Sequence, residues 1–295
     1  MRADVSVIMP AYQACATIVR AAQSAFAQGG VKLELVLCAD DGQDYGPLLR
    51  GMLPSAGALT LCRTPAPKCG PAMARNIALS HASADFIACL DADDCFGAER
   101  LAMLLPAAER HGVATGPTCE IEQKTGAVRI ARPRLRGDRL DIADICELRM
   151  PFPPLFNRRL AVEWPQVAFA EDVILNVDLF CAAGTYPFIE GANYLYSFGP
   201  GTRSHSPEAL QHARTGYLEI LALIETRTWP QPVRELVRRV FSEDLARVEG
   251  ARAADAGGGS WRDIVRTPAG APASCPEPAR QREQAGQAAL PAKNP

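Results

Sequence analysis

The sequence has no run approaching the ~18 apolar residues of a membrane-crossing helix, no Cys-x-x-Cys, no Gly-x-Gly-x-x-Gly, no internal repeat and little excess charge of either sign. Each absence removes a class of protein. A formal net charge of -2 supplies no basic footprint for nucleic acid. The ten cysteines are scattered singly, several inside apolar runs such as Val36-Leu37-Cys38 and Ile87-Ala88-Cys89-Leu90. They are expected to be reduced thiols packed as small hydrophobes, and no zinc site is expected. The first apolar run is followed by Met9-Pro10-Ala11-Tyr12, not by a glycine-rich turn, which argues against a dinucleotide-dependent dehydrogenase and against a nucleotidyltransferase with a phosphate loop. Met1-Arg2-Ala3-Asp4 leads directly into that run, which is shorter than a signal-peptide core, so a cytoplasmic location is expected.

What remains is the composition of a soluble globular protein, 48% hydrophobic and 22% charged. At 295 residues there is room for one sizeable α/β domain with additions, or two small ones. Residues 5–9 form an apolar run stopped by Pro10 and read as a buried strand. Residues 14–28 place Ile18, Ala22, Ala25 and Phe26 on one helical face before Gly29-Gly30 ends the pattern. Strands are predicted over 33–38, 58–62 and 85–90, with helices over 48–53 and 71–80, the latter opened by Pro71. Strand and helix thus alternate, which predicts a mainly parallel sheet flanked by helices. Ligands of such sheets bind beyond the carboxyl ends of the strands. Those ends carry Pro10-Ala11-Tyr12, Asp40-Asp41 and Asp91-Ala92-Asp93.

Further on, 113–118, 120–123 and 128–130 read as short strands, followed by a basic, proline-interrupted stretch containing Arg129, Arg132, Arg134, Arg136 and Arg139. A helix is predicted over 171–183, closed by Gly184. Another starts at Ser206-Pro207-Glu208 and runs to about residue 227, and a third covers 232–250. From 251 on, Ala, Gly, Pro and charge dominate; apart from 261–265 no apolar periodicity survives, and a largely disordered tail is expected.

Asp91-Ala92-Asp93-Asp94 follows a buried strand. Clustered carboxylates repel, and are stable mainly when a hard cation or a donor network compensates them. A divalent ion held by one or two carboxylates and by substrate phosphates is the usual arrangement in nucleotide chemistry. An acidic turn capping the next helix is the alternative.

Four motifs stand in order: Val5-Ser-Val-Ile-Met-Pro-Ala-Tyr12, Ala39-Asp-Asp-Gly42, Gly70-Pro-Ala-Met-Ala-Arg-Asn76 and Leu90-Asp-Ala-Asp-Asp94. In this register the chain resembles family 2 glycosyltransferases of the GT-A fold, over roughly residues 4–205. The resemblance implies a GT-A domain over 1–205, split into a nucleotide-binding half (1–97) and an acceptor-binding half (98–205). C-terminal helices over 206–250 and the 251–295 tail would follow. It implies an inverting enzyme that passes one sugar from a nucleotide-diphosphate donor to an acceptor hydroxyl, in cell-surface polysaccharide or glycolipid synthesis. Pro10, Ala11 and Tyr12 would floor the base and ribose pocket. Asp40 would accept from the base, favouring a UDP-sugar. Arg75 would reach the diphosphate, Asp91 the ribose or sugar, and Asp93 the Mn2+ or Mg2+ ion. Asn76 would hold local structure, and Asp94 would assist or cap.

The attacking hydroxyl must also lose a proton, for which a carboxylate in hydrogen-bond reach is suited. Phe169-Ala-Glu-Asp172 resembles the family's Glu-Asp motif, making Asp172 the base and Glu171 its positioning partner. Two acids complementing a helix dipole are the plainer reading of the same residues. The stretch Tyr194-Leu-Tyr-Ser-Phe-Gly-Pro-Gly-Thr-Arg-Ser-His205 resembles the loop that folds over donor. Within it Arg203 would contact phosphate, and His205 would be either a further metal ligand or a plain surface residue. Gln43 departs from the serine common in the family. The absence of Gln-x-x-Arg-Trp and of spans points away from processive synthesis. The basic 129–139 stretch is either a solvated loop or a patch for anionic, lipid-linked acceptors at the inner face of the membrane. A catalytically inactive sugar-nucleotide-binding or scaffold protein with the same fold is the main alternative.

Overall fold

The computed structural model describes residues 3–52, 59–131, 133, 135–199, 202–203, 206, 208–253 and 261–265. The first elements are β1 (Val5–Ala11), α1 (Ile18–Phe26), β2 (Leu33–Ala39), α2 (Gly46–Leu49), β3 (Leu59–Arg63), α3 (Pro71–His81) and β4 (Phe86–Cys89). Next come β5 (Cys95–Phe96), α4 (Arg100–His111), β6 (Val113–Ala114), β7 (Thr118–Glu122), β8 (Val128–Ala131), β9 (Leu135–Arg136) and β10 (Arg139–Leu140). The chain continues through α5 (Ile142–Glu147), β11 (Leu155–Asn157), α6 (Glu171–Ala183), β12 (Tyr194–Phe198), α7 (Ala209–Leu223), α8 (Gln231–Ala253) and α9 (Trp261–Val265).

The main sheet has the order β3-β2-β1-β4-β11-β6. Its first four strands are parallel, and β11 is antiparallel to both neighbours. Both faces are covered, as a parallel sheet requires. Alternation along β1 shows it: Val5, Val7, Met9 and Ala11 enter one core with α1 and α4, while Ile8 enters the other with α3. Helix α1 buries Ile18, Ala21, Ala22 and Ala25, the spacing of one helical stripe, so the expected helix is present but begins four residues later than read.

A second sheet, β5-β12-β7-β8, stands beside the first. Here the structure departs from expectation. The run expected as one strand over 113–118 is two, with β6 in the main sheet and β7 in the second. The segment expected to be a loop from Tyr194 onward is strand over its first five residues, paired with both β5 and β7. Its alternating, aromatic-rich sequence suits a pleated, half-buried surface, and that local preference outweighs the likeness to a mobile loop.

Helices α6, α7, α8 and α9 share the core on the α3 side of the main sheet. In α8 the buried Val233, Val237, Val240, Phe241 and Val248 form one stripe, and Asp244 lies in it. Its carboxylate is taken by Arg149 at 2.5 and 2.7 Å, pairing a buried charge with two bonds. No described helix is long and apolar enough to cross a membrane. The nine described cysteines are all free.

Candidate active site

The carboxyl edge of β1, β2 and β4 is built by side chains that organise backbone. The Asp40 carboxylate is buried and accepts from Thr64 Oγ1 (2.9 Å), Cys69 N (2.8 Å) and Gly70 N (2.9 Å). Gly70, at φ +95°, takes a conformation open to glycine but costly for other residues, and from there α3 begins with Pro71. Asp41 binds the neighbouring loop: it accepts from Gln13 N (2.7 Å), Gln43 N (3.0 Å) and Tyr45 OH (2.6 Å). These bonds hold its carboxyl below the usual range even though burial alone would raise it. Of the expected floor residues, Tyr12 is 41% exposed, Pro10 is half-buried, and the Ala11 methyl is packed in the core. Ala11 therefore meets the strand edge through its backbone, whose carbonyl accepts from Asp40 N.

The Asp91–Asp94 group divides by environment. Asp94 is fully buried and accepts from Tyr194 OH (2.8 Å) and Ser197 N (2.7 Å), fastening the acidic turn to β12. Burial, then the charges of Asp93 and Asp91, push its carboxyl well up. Asp93 is half-buried, and its carboxyl is pushed up to about 6 by burial and by Asp91. Its backbone carbonyl accepts from Arg20 NH2 at 2.7 Å. Asp91 Oδ1 accepts from Arg75 at 2.7 Å.

Arg75 is the junction of the site. On α3 and only 6% exposed, it donates to Asp91 and, at 2.9 Å, to Glu171 Oε1. Burial alone would lower its pKa; the two carboxylates more than reverse this and hold it well above its usual value. Its Nε is buried with no hydrogen-bond partner among the described residues. The guanidinium lies 6.0 Å from the Trp164 ring, and the Trp164 backbone is clamped by the Asn76 side chain, whose Nδ2 donates to Trp164 O (2.8 Å) and whose Oδ1 accepts from Trp164 N (2.9 Å). Asn76 thus holds local structure.

At the start of α6, Glu171 is buried against Arg75, with Arg203 NH1 at 3.9 Å. Asp172 is half-buried and faces a cavity of ≈ 40 Å³ lined also by Arg75, Cys89, Asp91, Trp164 and Tyr194. Its carboxyl is pushed up to about 7 by burial and by the Glu171 charge beside it, against the pull of Arg75 and the Val173 N–H. Arg203 donates to the Ala168 carbonyl and lies 5.9 Å from the Phe169 ring, so in this state its charge is turned toward the start of α6. His205 lies outside the described residues.

The structure therefore brings Arg75, Asp91, Glu171 and Asp172 together. Sequence reading missed Tyr194, Trp164 and Arg20, whose roles depend on long-range contacts. It also missed Arg100, fully buried in α4 and donating to the carbonyls of Ala192 and Pro153. Burial lowers the Arg100 pKa to about 10. No group of three His, Cys, Asp or Glu side chains among the described residues is placed to hold a metal. Asp91 and Asp93 nevertheless fit one brought with phosphates: they are hard oxygen donors, and the burial and the Asp91 charge that push the Asp93 carboxyl up are what a cation there would relieve. Mg2+-type sites use one or two carboxylates and leave the rest of the shell to substrate and water.

The sequence description of Glycosyl transferase family 2 matches residues 6–161. Among curated proteins, the chain is 27% identical over 226 residues to the succinoglycan biosynthesis protein ExoO of Rhizobium meliloti (strain 1021), covering 68% of this chain and 62% of that protein. It is 39% identical over 99 residues to WfgD of Escherichia coli, named a UDP-Glc:alpha-D-GlcNAc-diphosphoundecaprenol beta-1,3-glucosyltransferase, covering 34% of this chain and 38% of that one. The chain thus spans less than two thirds of either relative. Among solved structures, S. aureus TarS 1-349 in complex with UDP-GlcNAc superposes with a TM-score of 0.64 at 16% identity, over 85% of this chain and 73% of that one. The mannosyltransferase PcManGT of Pyrobaculum calidifontis, in complex with GDP-Man and Mn2+, superposes with a TM-score of 0.58 at 20% identity, over 88% and 77% of the two chains. These neighbours share the fold. Asp172 lies beyond the residues matched to the family.

Proposed function

The chain belongs to glycosyl transferase family 2, and from that premise we propose that it is an inverting glycosyltransferase moving one sugar from a UDP-sugar to a hydroxyl of a saccharide or lipid-linked acceptor. The product would enter cell-surface polysaccharide or glycolipid. The observation that carries this reading is the convergence of Arg75, Asp91 and Asp172 on one cavity beside the carboxyl end of β4.

The residues divide the chemistry as follows. Tyr12 and the loops fastened by Asp40 and Asp41 receive the nucleoside. Asp40 Oδ2 carries a single donor, Gly70 N, which leaves it room to accept one more from the base. Asp91 meets the ribose or sugar and is held in place by Arg75. The Arg75 cation, and Arg203 once turned from Ala168, offset charge gathering on the departing diphosphate. Asp93, with Asp91 beside it, would hold Mn2+ or Mg2+, which when bound supplies Lewis-acid neutralisation of that diphosphate. Asp172 takes the proton of the acceptor hydroxyl as it attacks from the face opposite the leaving group. Its carboxyl, pushed up to about 7, is a stronger base than an ordinary aspartate yet still ionised in a useful fraction at neutral pH. Glu171 fixes the start of α6 against Arg75.

The enzyme would work in the cytoplasm, with peripheral contact at the inner membrane face through the basic stretch. Val128 and Ile130 on β8 are exposed there, and residues 123–137 include five cations and no acid. The test is hydrolysis and thermal stabilisation with UDP-glucose, UDP-GlcNAc and GDP-mannose, with and without manganese. Metal-dependent cleavage of a UDP-sugar is expected. Preference for GDP-mannose would overturn the role given to Asp40, and failure to bind or cleave any donor would overturn the reading as a whole.

A further inference from the structure

The turn that launches α6 is gripped from the C-terminal side of the chain. Ala170, immediately before Glu171, is held in the left-handed region at φ 60°, a conformation that costs an alanine energy and persists only when its surroundings impose it. Those surroundings are α7, α9 and Arg203. Gly216 of α7 lies so close that a methyl in its place would stand 2.5 Å from Phe169 N and 2.8 Å from Phe169 O. One turn on, Glu219 accepts from Ala168 N at 2.6 Å. The Phe169 ring is met edge-on by Trp261, with centroids 4.9 Å apart, and by Tyr217 at 6.1 Å. Trp261 Nε1 in turn donates to Tyr217 OH at 2.8 Å, so the two rings are fixed to each other. The Arg203 guanidinium also lies against the Phe169 ring, at 5.9 Å.

We propose that Trp261 and Gly216 are positioning residues for Asp172, so that the α7–α9 layer is a working part of the catalytic site. The inference rests on the reading of Asp172 as the base. Phe169 is three residues before Asp172 and is joined to it through a strained turn and the first residues of α6. Take away the indole, and a cavity opens beside Phe169 into which that ring can move. The turn then relaxes and carries the Asp172 carboxylate with it. A displacement of about 1 Å at a reacting group can cost on the order of a hundredfold in rate.

The experiment compares the full chain with Trp261→Ala, Trp261→Phe, Gly216→Ala and a stability control, Leu104→Ala, which is buried in the other core. Amide hydrogen exchange over residues 165–175 and 86–94 is read alongside kcat, donor KM and donor binding in manganese-supported hydrolysis of the UDP-sugar. In Trp261→Ala, exchange should rise over 165–175 and stay unchanged over 86–94. Its kcat should fall at least roughly tenfold, with donor binding within twofold. Trp261→Phe should recover most of the loss, and Gly216→Ala should reproduce it. Leu104→Ala should lower Tm comparably and leave kcat near the parent value. Unchanged exchange over 165–175 in both Trp261→Ala and Gly216→Ala overturns the proposal, as does a kcat loss no greater than that of Leu104→Ala. If Trp261→Ala does not fold, Trp261→Phe and Gly216→Ala decide between the same outcomes. Asp172→Asn is assayed separately: full activity there removes the base assignment, and the exchange result still decides whether the layer holds the turn.

Discussion

The half of the site proposed to face the nucleotide and the half proposed to face the acceptor are built in opposite ways. In the first, each carboxylate organises backbone close to its own strand: Asp40 takes Cys69 N and Gly70 N, and Asp41 takes Gln13 N and Gln43 N. Partners are two to thirty residues away, on adjoining strand-to-helix turns. In the second half the ties run between distant segments: Arg75 reaches Glu171, next to Asp172, across 96 residues, and Tyr194 reaches Asp94 across 100. A short motif can specify the first kind of geometry. The second needs the whole fold, and its charges are deeper and more perturbed. Arg75 joins the two halves, so substitutions around it separate local from global dependence.

The largest effect is expected at Asp172. Asp172→Asn should lower kcat by about 10²–10⁴-fold with donor binding unchanged, since the nucleotide half does not depend on it; single-turnover kinetics and donor titration check both. Next is Arg75→Met, which leaves Asp91 without its cation and the buried Glu171 with only Arg203 at 3.9 Å. Breaking such a pair costs about 3–5 kcal/mol, read as denaturant midpoint, and donor binding should weaken as well because Asp91 is released. If only the acceptor half suffers, Arg75 is not the junction described.

A pH effect of intermediate size follows from the raised Asp172 carboxyl. Activity should climb as pH rises through about 7, as the base loses its proton. Stability runs the other way. An unfolded aspartate releases its proton near ~3.9, while the folded one keeps it to about 7. The folded state therefore loses stability as pH rises between those values. Asp172→Asn should raise Tm relative to the parent above pH ~7, by about 2–4 °C for each kcal/mol relieved, and bring no gain near pH ~4. Smallest is Tyr45→Phe in the nucleotide half. It deletes the hydroxyl between Ala14 N and Asp41 at a cost of about 1 kcal/mol, with a modest loss of donor affinity and no change in the pH profile.

The same contrast explains what could be read from sequence. The alternation from Val5 to Cys89 and the placing of Asp40, Asp91 and Asp93 at strand ends needed only period, turn residues and order. Strand β11, short and antiparallel between β4 and β6, carries no such signal, because its place is chosen by the two strands it joins. Tyr194–Phe198 had strand propensity, but no motif states its parallel pairing with β7 or the bond from Ser197 N to Asp94. That Asp40 is occupied by the 64–70 segment, and that Ala11 turns its methyl into the core, are outcomes of packing that no motif states. Trp261 stood out only as the start of a short apolar run; its contact with Phe169 exists only in the folded chain.

The proposed mechanism turns on a single displacement at the anomeric carbon, with Asp172 as base on the face opposite the diphosphate. Proton NMR of the sugar first released from an α-linked UDP-sugar, with magnesium as the ion, tests this directly. The β-anomer should appear first and then mutarotate. Initial release of the α-anomer would contradict the mechanism and the role given to Asp172.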